Sequence, residues 1–178
     1  MPLPAGYTGI TFPPIVERDL DPSWSIGVLA QYTVLRYFKA LLEQQPVVLA
    51  NEDVEGVHQI RVAARRCRTA LQTFHSLWDE RKVRYFQKYL ARFADTFGIS
   101  RDLDVMIIYL SEQLEKTDGE RAAAYQWLRA RNQERRLKEQ PRLEKTITKL
   151  EKDGFPAAFI AYFSAKPYDL WSREDIGG

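Results

Sequence analysis

His58-Gln59-Ile60-Arg61-Val62-Ala63-Ala64-Arg65-Arg66-Cys67-Arg68 places one histidine and four arginines in eleven residues, with apolar residues interleaved at helical spacing. At about 100° per residue, His58, Arg61, Arg65, Arg68 and Gln72 stack on one narrow face of a helix. Ile60, Ala64, Cys67, Leu71, Phe74 and Trp78 fall on the far side. The pattern predicts a helix over 54–78 that buries one flank and presents a ladder of positive charge on the other. A merely solvated face normally mixes signs, with Glu and Lys four residues apart. Here no acid occurs from Val57 through Trp78, 22 residues that hold four Arg and two His. A bound anion would relieve that repulsion, although long-stemmed arginines also line ordinary solvated faces.

Helical periodicity continues on both sides. Upstream, 24–45 reads as a helix with Val28, Leu35, Phe38 and Leu42 on one face, stopped by Pro46. Asn51, Glu52 or Asp53 can cap the basic helix, where negative charge suits the dipole. Downstream, 81–97 carries Phe86, Leu90, Phe93 and Phe97 on its apolar face and Arg81, Arg84, Lys88 and Arg92 as a second positive stripe. Gly98 fits the C′ position of that helix, and Ser100 fits the cap of a helix over 100–116 with Leu103, Ile107, Leu110 and Leu114 inward. Asp118-Gly119 marks a turn. A fifth helix over 120–140 carries a third stripe, Arg131, Arg135 and Lys138, and is ended or kinked by Pro141. A charged helical segment, 142–153, is broken at Gly154 and Pro156. The last aromatics, from Phe155, Phe159, Tyr162 and Phe163 to Tyr168 and Trp171, either pack back on the bundle or meet another chain. No segment shows a convincing period of two. The fold class is all-α, an antiparallel bundle of about five to six helices. The chain divides into an extended arm (1–23), a helical bundle (24–140) and a charged helix with an aromatic tail (141–178).

The bulk numbers bound the function. A chain of 178 residues with 45% hydrophobic residues suits one domain with a real core. Net charge is only +2, so anion binding must come from charge placed locally. Cys67 is the single cysteine, which excludes an internal disulfide and points to a reducing cytoplasm. Residues 1–22 carry five prolines without a basic start or an apolar run, unlike a signal peptide. No segment has the apolar length of a membrane span. There is no nucleophile with a matched base, no glycine-rich phosphate loop and no paired-histidine metal motif, so the expectation is a non-catalytic protein without a cofactor.

The second distinctive string is Phe97-Gly98-Ile99-Ser100-Arg101-Asp102-Leu103-Asp104-Val105. Arg101 opposes the dipole at a helix start and so calls for a partner. Asp102 and Asp104 are expected to support the site by orienting arginines of the basic helix through bidentate pairing. As metal ligands they lack further acids at suitable spacing. His58, in the first turn of its helix, would alone read as a capping or core histidine; beside Arg61 and Arg65 it fits a binding role.

Together, His58-x-x-Arg61-Val62-x-x-Arg65-Arg66-x-Arg68 and the Phe97–Val105 string resemble the CHAD family, the conserved histidine α-helical domain. The resemblance covers residues 24–140. It implies a helical protein that binds inorganic polyphosphate through basic side chains lining a channel. Some family members associate with polyphosphate granules, and some carry a separate triphosphate-hydrolysing domain. By resemblance, His58, Arg61, Arg65, Arg66 and Arg68 contact phosphate. The positive stripes add Lys88, Arg92, Arg101, Arg131 and Arg135 as candidates. Family domains are usually built from two similar helical halves, and this chain resembles the first, since nothing after residue 140 repeats the His-Arg pattern. Two chains are therefore expected to pair, each supplying one basic wall, with the aromatic tail (155–171) as the interface. The expected function is non-catalytic polyphosphate binding in the cytoplasm, with granule association. A nucleic-acid-binding domain and a protein-interaction bundle are the alternatives.

Overall fold

Ser25 accepts a hydrogen bond from the Val28 N–H at 3.4 Å and so caps the first helix, α1 (Ile26–Glu43). The computed structural model describes residues 11–51 and 53–165. Six helices of ten residues or more and one shorter helix follow one another, and no strand occurs among the described residues. The chain is an all-α helical bundle.

Pro46 ends α1 as expected but also begins something. Its fixed φ suits a first helical turn, and a short helix, α2 (Gln45–Ala50), forms where a plain connection was expected. Asn51, in the left-handed region at φ 52°, closes it. Basic helix α3 spans Glu55–Thr73 and stops short of Trp78. The N-cap residue before it, Val54, makes no side-chain cap; Asp53 instead accepts from the Glu55 N–H at 2.8 Å. A 3-10 turn at His75–Leu77 leads to Asp79, which caps α4 (Glu80–Thr96) by accepting from the Lys82 N–H at 2.9 Å.

Two expectations around residue 100 are corrected. Gly98 does not close α4; it is the first residue of α5 (Gly98–Leu114), joined to α4 through Phe97 alone. Ser100 is no cap either: it lies in the first turn, fully buried, and its Oγ has no hydrogen-bond partner among the described residues. After a turn at Asp118, helix α6 runs unbroken from Gly119 to Lys152 with Pro141 inside it, so Pro141 does not end it. The i−4 carbonyl that a proline leaves unpaired belongs to Leu137, which lies on the exposed side of the helix. The two halves of α6 have separate anchors. The first packs along α5 as an antiparallel hairpin, while Leu143, Ile147 and Leu150 of the second enter the main core.

Gly154, at φ 65°, turns the chain into α7 (Phe155–Ser164), where Pro156 stands in the first turn. For Phe155, Phe159, Ile160 and Phe163 the first of the two alternatives holds: they pack back on the bundle and are buried. Phe159 stacks on Phe38 at 4.0 Å, and Phe86 meets Phe155, Phe159 and Phe163 at 5.1–5.6 Å. An interface on this tail therefore cannot use those rings; Tyr168 and Trp171 lie outside the described residues. The described part of the arm is not simply extended. Phe12 and Val16 are buried in the core, and Pro14–Glu17 forms a 3-10 turn tied to α1 by a Lys39–Glu17 ion pair.

Candidate functional site

α3 buries Val57, Ile60, Ala64, Cys67 and Leu71, chiefly against α1. That fixes its rotation and turns the arginine ladder toward the side where α4 packs. Two adjoining hollows form between α3 and α4. One, of about 350 Å³, is lined by His58, Arg61, Val62, Arg65 and Arg68 of α3, Ala94 and Asp95 of α4, and Arg101 of α5. Its neighbour, of about 600 Å³, shares Arg65 and Arg68 and adds Thr69, Gln72, Arg84, Gln87, Lys88 and Ala91. They make one groove. His58 to Gln72 spans about 21 Å along α3 at the helical rise.

The groove holds six permanent cations (Arg61, Arg65, Arg68, Arg84, Lys88 and Arg101) against one lining carboxylate, Asp95. Among the described residues, Arg61, Arg65, Arg68, Lys88 and Arg101 form no ion pair; Arg84 pairs with Glu80 at the groove's outer end. Uncompensated cations this close repel one another, and the low-dielectric walls strengthen the field in the hollow. Two contacts set the lining. Gln87 Nε2 donates to Gln72 Oε1 at 3.2 Å across the groove. Arg61 Nη1 donates to the Ala94 carbonyl at 3.4 Å, at the C-terminal end of α4, where the dipole favours a cation. Gly98 is what admits that guanidinium: a Cβ there would stand 3.1 Å from Arg61 Nη1.

The remaining predicted site residues divide. Arg66 leaves the groove and faces α1, its guanidinium 6.0 Å from the Tyr37 ring centre. It lines a side hollow of about 270 Å³ with Tyr37, Phe74 and three threonines, joined to the groove through Arg65 and Thr69. Arg92 is exposed and lines neither hollow. The groove-facing row of α4 is Arg84, Lys88, Ala91 and Asp95, one helical step off the Arg81-Arg84-Lys88-Arg92 stripe beyond Lys88. Arg131 and Arg135 are exposed on α6 outside both linings; Arg131 lies over Trp127 at 5.6 Å.

The supporting role of Asp104 is corrected. Its Oδ1 accepts from Arg136 Nε of α6 at 2.9 Å, not from an arginine of α3. Both side chains are buried, Asp104 completely. The chain of bonds continues from Arg136 to Gln140 at 3.4 Å and from Gln140 to the Val48 carbonyl at 2.9 Å, locking α5, α6 and α2 together. Burial raises the Asp104 carboxyl above the usual aspartate range, opposed by the Arg136 guanidinium. Asp102 is exposed and forms no ion pair among the described residues. Sequence reasoning missed Asp95 as a groove residue; its signal was the four-three-four step from Arg84 through Lys88 and Ala91. Cys67 is fully buried with its Sγ 3.7 Å from the Val34 carbonyl, and burial pushes the thiol well up, so it is not a nucleophile in waiting.

No helix among the described residues is long and apolar enough to cross a membrane. No group of three acidic, histidine or cysteine side chains placed to hold a metal occurs among them. No curated protein and no solved structure matches the chain. The family model for the CHAD domain matches residues 33–175, from the first half of α1 through α7 and past the 24–140 span that carries the two motifs. The chain thus belongs to the CHAD domain family, generally a binding domain and associated with polyphosphate binding.

Proposed function

We propose that the α3–α4 groove binds inorganic polyphosphate without chemical turnover. The observation that carries this is the run of arginines along α3, Arg61, Arg65 and Arg68, which form no ion pair among the described residues and face a single lining carboxylate, Asp95. Steps of three and four residues rise about 4.5–6 Å, a spacing that lets Arg61, Arg65 and Arg68 meet successive or alternate phosphates. Guanidinium groups stay charged at any physiological pH and pair with phosphate oxygens bidentately. His58 and Arg101 close one end; Arg84 and Lys88 hold the other. A cytoplasmic protein that gathers on polyphosphate granules is the cellular counterpart.

Among the described residues no Phe, Tyr or Trp lines either hollow, whereas single-stranded nucleic acid is normally held by stacking on such rings. The nearest exception is Tyr85, exposed beyond the groove's outer end among Arg81, Arg84 and Lys88. A competition titration with long-chain polyphosphate, RNA, ATP and triphosphate tests the reading. At matched phosphate concentration RNA should fail to displace polyphosphate. For about five neutralised phosphates the logarithm of affinity should fall with that of salt at a slope of about −3.5. A slope near zero ends the electrostatic account. RNA competing on equal terms, with that competition lost in Tyr85→Ala, would transfer the groove to nucleic acid.

A further inference from the structure

Buried Ser100, Leu103, Asp104 and Leu110 mark the inner side of α5. The opposite side is exposed and apolar: Val105, Met106, Ile108 and Tyr109 are each 42–50% accessible. Its central stripe is Arg101, Val105, Ile108 and Glu112, at spacings of four, three and four. All four lie within about 60° of one another around the helix. The stripe is ordered in charge, with a cation at its N-terminal end, an acid at its C-terminal end and two apolar residues between them. Among the described residues Glu112 forms no ion pair, nor does Arg101.

A stripe of that order is its own complement when reversed. Laid antiparallel on a copy of itself, it sets Arg101 against Glu112 at both ends and Val105 against Ile108 in the middle. The same register centres between positions 106 and 107 and sets Asp102 of each helix opposite Ser111 of the other, so no like charges meet. A parallel arrangement would set Arg101 against Arg101 and Glu112 against Glu112. From this complementarity we infer that the outer face of α5 docks a second copy of the same face, antiparallel and centred between positions 106 and 107. One patch serves both partners, as a twofold interface requires. Arg101 also lines the inner end of the basic groove, so pairing brings the inner ends of two grooves to one seam. The pairing shares Arg101 with the groove but is measured without polyphosphate, so its failure and that of the polyphosphate reading are told apart.

Sedimentation velocity on the full chain at micromolar concentration should read a dimer. Glu112→Arg places arginine against arginine at both ends of the seam and should weaken the dimer on the order of a hundredfold, since apposed like charges are strongly unfavourable. Adding Arg101→Glu in the same chain restores opposite signs and should restore the dimer. Ile108→Lys, which buries a charge at the middle of the seam, should also give monomers, with circular dichroism unchanged in each variant. A wild-type monomer overturns the proposal. So does a dimer that Glu112→Arg leaves intact, or a double variant that stays monomeric while folded.

Discussion

At Gly98 a hydrogen atom stands where any other residue would hold a Cβ, and the Arg61 guanidinium occupies the space beside it. Because the obstructed group is the far end of a flexible side chain, Gly98→Ala should fold normally; the arginine will move. Isothermal titration should then show several-fold weaker polyphosphate binding with no loss of melting temperature. Arg61→Ala and Arg65→Ala remove charged hydrogen bonds outright and should each cost about 1–3 kcal/mol of binding. Arg131→Ala, on a surface outside the groove lining, serves as the control and should change affinity little. If Arg61→Ala and Arg65→Ala both bind as the native protein does, the groove is not the site. Much of this was legible in the sequence: the α3 ladder of His58, Arg61, Arg65, Arg68 and Gln72 lines the groove as its spacing implied. The exception on that helix is Arg66, one residue past Arg65, which the same 100° step carries round to Tyr37.

Between elements, the Asp104–Arg136 pair is the contact most sensitive to change. Removing one member leaves an uncompensated buried charge, so Asp104→Ala should destabilise the fold by about 3–5 kcal/mol in urea unfolding. Asp104→Asn keeps an acceptor for Arg136 and should cost less. The pH dependence follows from the raised carboxyl of Asp104. The folded chain holds that proton more tightly than the unfolded chain. This group's contribution is therefore complete below the ordinary aspartate value of 3.8 and is lost as pH rises through its higher folded value. That component should vanish in Asp104→Asn; identical pH profiles for the two proteins would refute it. Sequence alone could not find this pair. Asp104 and Arg136 lie on different helices, and no local pattern says which arginine a buried aspartate will choose. The same limit explains α6. Pro141 reads locally as a stop, but packing on both sides of it, with α5 before and the core after, holds the helix together.

For the whole molecule, the core closes only when its two ends meet. Phe38 of α1 stacks on Phe159 of α7, and Phe86 of α4 sits among four α7 rings. Phe159→Ala should destabilise the fold by about 3–5 kcal/mol, read as a fall in thermal midpoint. If the midpoint stays put, α7 is an accessory and not a keystone. Hydrophobic spacing announced the all-α class and the long helices. It left the aromatic tail undecided, because an apolar run looks the same whether its partner is its own bundle or a neighbour. That closure has a consequence for biosynthesis. While the ribosome is still making α6, the ring of Phe38 waits for a partner not yet translated. Until Phe159 leaves the exit tunnel, the apolar faces of α1 and α4 stay uncovered, so the bundle forms late and all at once and not helix by helix.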